Sequence, residues 1–110
     1  MAIQTCCLAR DFNILPAGDS TEIGEKGTNL SGGQKARIAL ARAVYAGRPL
    51  LLLDDPLQAL DVKVKTKIFQ NLKKLQNTRI LVTHSIEFLE MVDEIVLMDK
   101  GRIAISGTYE

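Results

Sequence analysis

The segment Leu30-Ser31-Gly32-Gly33-Gln34 has residue types that suit phosphate binding. A serine cap at the start of a helix leaves the first amide N–H groups without helical partners, and the helix dipole adds positive partial charge there. Glycine carries no Cβ that would keep an anion away from the backbone. The segment therefore suits a phosphate group, although an ordinary capping turn has the same composition.

Two carboxylates follow the leucine run Leu50 to Leu53. The run predicts a buried strand of a parallel sheet, and such sheets bind ligands at the carboxyl ends of their strands. Asp54 could hold Mg²⁺, which takes one or two carboxylates together with phosphate oxygens and water. Asp55 could orient or deprotonate an attacking water. The same two residues would also form an ordinary turn before Pro56.

Two further polar residues stand at the ends of predicted elements. His84 follows the apolar segment 80–83, where it could hydrogen-bond a terminal phosphate or serve as an ordinary polar side chain. Asp61 precedes an apolar-periodic segment, and a helix N-cap explains it most simply. Neither residue identifies a function alone.

The elements that must position these residues alternate between helix and strand. Apolar spacing predicts helical segments over residues 3–11, about 32–45, about 61–75 and about 86–91, with a polar loop over 16–29. Apolar runs predict buried strands over residues 50–54, 79–83 and 94–98, and a last strand over 102–106 after the turn at 99–101. This order indicates an α/β fold, a parallel sheet flanked by helices with an antiparallel hairpin at its edge.

Composition narrows the function classes. The net charge of +1 and the aromatic content of 5% argue against a nucleic-acid partner. The longest aliphatic run, Leu50 to Leu53, is too short to cross a bilayer. Cys6 and Cys7 are neighbours and match no zinc spacing, so they are predicted to be reduced thiols.

The order and spacing of the polar segments resemble those of ATP-binding-cassette (ABC) ATPases. Four motifs carry this resemblance across nearly the whole chain: the signature Leu30-Ser31-Gly32-Gly33-Gln34, the Walker B strand Leu50 to Asp54, the D-loop Gln58-Ala59-Leu60-Asp61 and the H-loop residue His84. The flanking segments Thr21 to Gly27 and Asp54 to Leu57 look like the first nucleotide-binding domain of the C subfamily, the multidrug-resistance-associated transporters.

The resemblance implies that residues 1–110 form the C-terminal part of a nucleotide-binding domain, with the signature subdomain and part of a P-loop NTPase-like sheet. In that family two domains close head to tail around ATP and Mg²⁺, and attached transmembrane domains move a substrate. The cytoplasmic face of a membrane is the implied location. The implied roles are contact with the partner's ATP for Leu30, Ser31, Gly32, Gly33 and Gln34, Mg²⁺ binding for Asp54, catalysis for Asp55 and His84, and cross-dimer communication for Asp61.

The sequence departs from the family pattern at several points. It contains no phosphate loop of the form Gly, four residues, then Gly-Lys-Ser/Thr. Asp55 stands where most active members carry Glu, and Gln58 stands where Ser is usual. Two alternatives stay open, a chromosome-maintenance or DNA-repair ATPase and a non-catalytic module that completes a partner's ATP site.

We expect the isolated chain neither to bind Mg-ATP tightly nor to hydrolyse it. Without the phosphate loop, the β- and γ-phosphates lose most of their backbone and lysine contacts. Isothermal titration calorimetry of the 110-residue chain with Mg-ATP checks this expectation. Binding in the micromolar range would contradict it.

Overall fold

The computed structural model describes residues 1–14, 17–20 and 30–110 of the chain. Its α-helices are α1 (Ala2–Thr5), α2 (Ala9–Ile14), α3 (Gly32–Tyr45) and α4 (Val62–Lys73), and 3-10 helices lie at Gly18–Ser20 and Ile86–Met91. Its strands are β1 (Leu50–Asp54), β2 (Thr78–Val82), β3 (Ile95–Asp99) and β4 (Arg102–Gly107). The predicted alternation of helix and strand is confirmed. Most of the predicted loop over 16–29 lies outside the described residues.

The first helical segment differs from the prediction. The structure has two short helices where one was expected over residues 3–11, because the chain turns at Cys7 with φ of 58°. This turn lets Cys6 and Leu8 both enter the core, at 0% and 1% exposure. Burial and the neighbouring Cys7 raise the pKa of the Cys6 thiol to about 12, so this thiol stays protonated at neutral pH.

Helix α3 has the predicted bounds because both of its ends carry local signals. Ser31 caps the first turn with its side chain, and Gly47 follows the last turn with φ of 62°. A glycine adopts this left-handed conformation without the steric cost that a Cβ would bring. Leu40 and Val44 are the buried residues of the helix.

Strands β1 and β2 are parallel, as predicted, with Leu50 paired to Thr78 and Asp54 paired to Val82. The prediction that these strands are buried on both faces is wrong. Leu51 and Leu53 are 4% and 6% exposed, whereas Leu52 is 70% exposed. The described helices cover one face of this two-stranded sheet, which leaves the alternate side chains of β1 in contact with solvent.

The C-terminal hairpin forms as predicted, but its placement does not match the prediction. Strands β3 and β4 pair antiparallel in a sheet of their own, and β3 does not join the parallel sheet formed by β1 and β2. Lys100 and Gly101 both have positive φ, 49° and 76°, as a two-residue hairpin turn requires. The structure is therefore an α/β fold with one parallel and one antiparallel sheet.

The core joins α3, α4 and the inner face of β1. Ile68 of α4 is fully buried, and Phe69 stacks on Phe88 of the 3-10 helix with ring centroids 4.9 Å apart. This packing fixes β1 and β2 against the helices and so positions the residues at the ends of both strands. In the described parts of the chain, no helix has the length and apolar character needed to span a membrane.

Adjacent leucines of β1 provide a test of the exposed sheet face. We expect Leu51→Ala to lower the free energy of unfolding by about 2–5 kcal/mol, because it creates a cavity in the core. The matched variant Leu52→Ala should change it by no more than about 0.5 kcal/mol, because this side chain is 70% exposed. Urea unfolding followed by circular dichroism measures both values. An equal loss in the two variants would show that the outer face is covered in solution.

Candidate functional site

The start of α3 is held by reciprocal hydrogen bonds between Ser31 and Gln34. The hydroxyl oxygen of Ser31 accepts from the backbone N–H of Gln34 at 3.1 Å, and the backbone N–H of Ser31 donates to Oε1 of Gln34 at 2.9 Å. Leu30 lies half-buried immediately before this cap. Because Ser31 and Gln34 cap the helix in this way, they define where it begins.

The amide N–H groups of Gly32 and Gly33 point out of the first turn of α3. Within residues 1–14, 17–20 and 30–110, neither group has a backbone or side-chain acceptor. Gly32 is exposed and Gly33 is half-buried, so an anion can approach both. These two donors and the positive end of the helix dipole lie where the sequence predicts an anion site, and that role stays a prediction.

A partly buried ion pair between Arg37 and Asp11 lies next to the start of α3. Arg37 donates to both carboxylate oxygens of Asp11, at 2.7 Å from Nη1 and 2.9 Å from Nη2. Nη1 of Arg37 also donates to the carbonyl of Cys7 at 2.8 Å, and Nε donates to the carbonyl of Gly33 at 3.3 Å. The amide group of Gln34 donates to Asp11 at 3.1 Å. The pair therefore links α2, the turn at Cys7 and α3.

No pattern in the sequence singles out Asp11 or Arg37. They stand 26 positions apart, and no local spacing rule connects them. Burial raises the pKa of the Asp11 carboxyl, but hydrogen bonds from Arg37 and Gln34 outweigh it, so the net pKa lies below its ordinary value. The carboxylate is consequently ionised at neutral pH, and it contributes stability that is lost only when acid titrates it.

The second group of predicted residues meets at the carboxyl edge of the parallel sheet. Asp54 ends β1 beside Val82, and the backbone N–H of Asp55 donates to the Val82 carbonyl at 2.7 Å. His84 lies two residues beyond the end of β2 and is exposed. Parallel pairing therefore brings Asp54, Asp55 and His84 to one edge.

Asp55 has an unusual backbone conformation. Its φ is 45°, in the left-handed region that aspartate tolerates better than most residues with a side chain. The hydrogen bond to Val82 holds the backbone in this conformation. The turn that follows continues to Leu57, which is buried, and to Leu60, whose backbone N–H donates to the Leu57 carbonyl at 3.2 Å.

The segment 57–61 connects the two groups of residues. Asp61 caps α4, because its Oδ1 accepts from the backbone N–H of Val64 at 3.0 Å. A Cβ added to Gly33 would lie 3.0 Å from Cδ2 of Leu60 and 3.6 Å from the Ala59 carbonyl oxygen. The start of α3 therefore packs closely on the segment that follows Asp55.

The carboxylate at the sheet edge could serve as one ligand of a Mg²⁺ ion whose other ligands are phosphate oxygens and water. Among the described residues, no group of three or more His, Cys, Asp or Glu side chains is arranged to hold a metal ion. Asp54 is exposed at the strand end, where it can supply a single carboxylate. Mg²⁺ commonly takes one or two protein carboxylates and completes its shell with phosphates and water.

Comparisons with known proteins agree with this geometry. Residues 8–58 match the family model described as ABC transporter. The chain is 51% identical over 113 aligned residues to ABC transporter C family member 8 of Dictyostelium discoideum, and 54% identical to multidrug resistance protein mrp-7 of Caenorhabditis elegans. These alignments cover 97% and 98% of the chain but 7% of each relative.

The fold also matches a solved structure of a bacterial Atm1-family ABC exporter with ATP bound. The TM-score is 0.91 at 34% sequence identity, and the match covers 98% of this chain and 19% of the exporter chain. The chain thus spans a small share of the length of the proteins that it resembles.

The two glycines of α3 differ in the space around them, which predicts different costs for the same substitution. Gly33→Ala should lower the free energy of unfolding by about 1 kcal/mol relative to Gly32→Ala, because Leu60 must move to admit the new methyl group. At Gly32 the nearest atom, Cβ of Ala59, would be 3.9 Å away, which is an ordinary contact.

Denaturant unfolding of both variants checks this prediction. Adding Leu60→Ala to each variant isolates the contact, since the extra cost of Gly33→Ala should then disappear. Equal stabilities of the two single variants would contradict the close packing of Gly33 on Leu60.

Proposed function

We propose that this chain, which matches the ABC transporter family model over residues 8–58 and resembles C-subfamily members over nearly its whole length, helps to form an ATP-hydrolysing site that powers transport across a membrane. The observation that carries the proposal is the pair of amide donors at Gly32 and Gly33, held at the capped start of α3. Similarity to C-subfamily transporters favours transport over the chromosome-maintenance alternative.

The proposed signature site contacts a nucleotide held by a second nucleotide-binding domain, in a head-to-tail dimer. The amides of Gly32 and Gly33 donate to its terminal phosphate. Ser31 accepts a hydrogen bond from Gln34 through its oxygen, so its hydroxyl proton is available for the same phosphate. Leu30 and Gln34 complete the site by supporting the cap. Donors fixed in this way cost little reorganisation when the phosphate arrives.

The residues at the sheet edge are proposed to act on the nucleotide that this same domain binds, and not on the nucleotide of the partner domain. Asp54 supplies a carboxylate to Mg²⁺, Asp55 orients the attacking water, and His84 hydrogen-bonds the γ-phosphate. Bound Mg²⁺ would neutralise charge that develops on the β- and γ-phosphates. Parallel pairing of β1 with β2 supports this arrangement, because it brings all three residues to one edge.

Asp61 is proposed to carry contacts across the domain dimer. Its Oδ1 caps α4, which leaves Oδ2 for a partner domain. In this proposal residues 1–110 supply the signature helix, Walker B strand, D-loop and H-loop, and the phosphate loop comes from elsewhere in the domain. Transmembrane domains attached to such a domain would place it at the cytoplasmic face of a membrane.

The length of the carboxylate at residue 55 provides a test of the catalytic role. In the full-length protein, the sheet edge of this domain and the signature of the partner domain would enclose one ATP, and we call this a composite site. Asp55→Glu should raise the rate of ATP hydrolysis at that site by up to about a hundredfold, since the longer side chain reaches further toward the water. The positive φ of Asp55 works against part of this gain, because glutamate is less favourable there.

Single-turnover hydrolysis, with the other composite site disabled by mutation, measures this rate. Asp93→Glu is the matched control, because Asp93 is exposed and lies in the segment between the 3-10 helix and β3. A rate for Asp55→Glu equal to that of the control would refute the role of Asp55 in positioning water.

A further inference from the structure

We propose that Asp11 is a positioning residue that fixes the amide donors of Gly32 and Gly33 in the geometry that binds a terminal phosphate. The inference rests on the proposed function of the signature site. Asp11 lies on α2, outside the signature, and its carboxylate accepts hydrogen bonds from both Gln34 and Arg37. Through these two side chains it holds the start of α3 from both sides.

The first connection runs through Gln34 to Ser31. A side-chain amide can present either its oxygen or its nitrogen to a neighbour, and an ionised carboxylate can only accept hydrogen bonds. Asp11 therefore turns the NH₂ group of Gln34 toward itself, at 3.1 Å. This leaves the amide oxygen facing the backbone N–H of Ser31, at 2.9 Å. Asp11 thus selects the one orientation of Gln34 that completes the cap.

The second connection runs through Arg37 to Gly33. Two parallel hydrogen bonds to Asp11 fix the plane of the guanidinium group. In this plane Nε of Arg37 reaches the carbonyl of Gly33 at 3.3 Å. The peptide groups of residues 31–33 are therefore held at one end through Gln34 and at the other through Arg37.

Such support matters because two successive glycines have wide conformational freedom. Without restraint, ordering their backbone would reduce the binding free energy of the phosphate. Asp11 is partly buried, with its side chain 16% exposed, and both of its oxygens are already used by Arg37 and Gln34. Its charge is paired with that of Arg37, so it does not repel an approaching phosphate. It acts through the other side chains and does not touch the nucleotide.

The variant Asp11→Asn in the full-length protein tests this inference. The amide has the shape of the carboxylate but loses its charge and half of its acceptor capacity. We expect the KM for ATP to rise about tenfold, the loss expected for weakened hydrogen bonds of this kind. The Ki of ADP as a competitor should not change, because ADP lacks the terminal phosphate that the signature contacts.

A purely structural role predicts a different result. Loss of folded protein lowers kcat through the active fraction and leaves KM unchanged, so that outcome would overturn the inference, as would an unchanged KM with an unchanged kcat. Asp93→Asn is the matched control for the substitution. If Asp11→Asn does not fold, the double variant Asp11→Asn with Arg37→Gln removes both charges together, which avoids an unpaired, partly buried charge. The same rise in KM is expected from it.

A signature variant separates this inference from the proposed function. Gly32→Asp places a negative charge at the phosphate position, and a Cβ fits there with its nearest contact at 3.9 Å. If this variant leaves the KM for ATP unchanged, the proposed function fails. If it raises the KM while Asp11→Asn does not, the signature site stands and the positioning role of Asp11 is wrong.

Discussion

The ion pair between Asp11 and Arg37 determines how α3 is attached to the rest of the chain. Its hydrogen bonds reach α2, the carbonyl of Cys7 and the carbonyl of Gly33, so one guanidinium group joins three backbone segments. An ion pair that is largely removed from water stabilises a fold only when its remaining donors are also satisfied. Here every nitrogen of the guanidinium group has an acceptor, and the start of α3 is consequently placed by polar contacts and not by apolar packing alone.

Two sets of polar groups lie at opposite ends of one short segment. The carboxylates that end β1 lead into the turn at Leu57, and Leu60 then packs on Gly33 at the start of α3. The distance between the amide donors and the sheet edge therefore depends on how this turn folds. In the proposed dimer these groups serve two different nucleotides. A shift at one nucleotide could thus be passed to the other through a few residues of backbone.

Local signals in the sequence predicted local structure well. Ser31 and Gly47 gave both ends of α3, because capping depends on residues within one turn of the helix end. Burial was predicted less well: the leucine run of β1 shows apolar character, but it does not show which face is covered, and Leu52 proved to be exposed. The pairing of Asp11 with Arg37 could not be predicted, since it depends on tertiary contacts between distant segments. The roles assigned to Ser31, Asp54 and His84 from motif spacing stay predictions, because they concern contacts with a nucleotide or a partner domain and not contacts within this chain.

The contact between Gly33 and Leu60 places two requirements on one position. A side chain at residue 33 would crowd Leu60 and would also stand near the amide donors, whereas a Cβ at residue 32 would make only an ordinary contact with Ala59. In the proposed site, phosphate binding and the packing of the fold therefore both depend on the missing methyl group at residue 33. A single substitution at residue 33 would disturb both at once, while a substitution at residue 32 would change the phosphate contact without crowding Leu60.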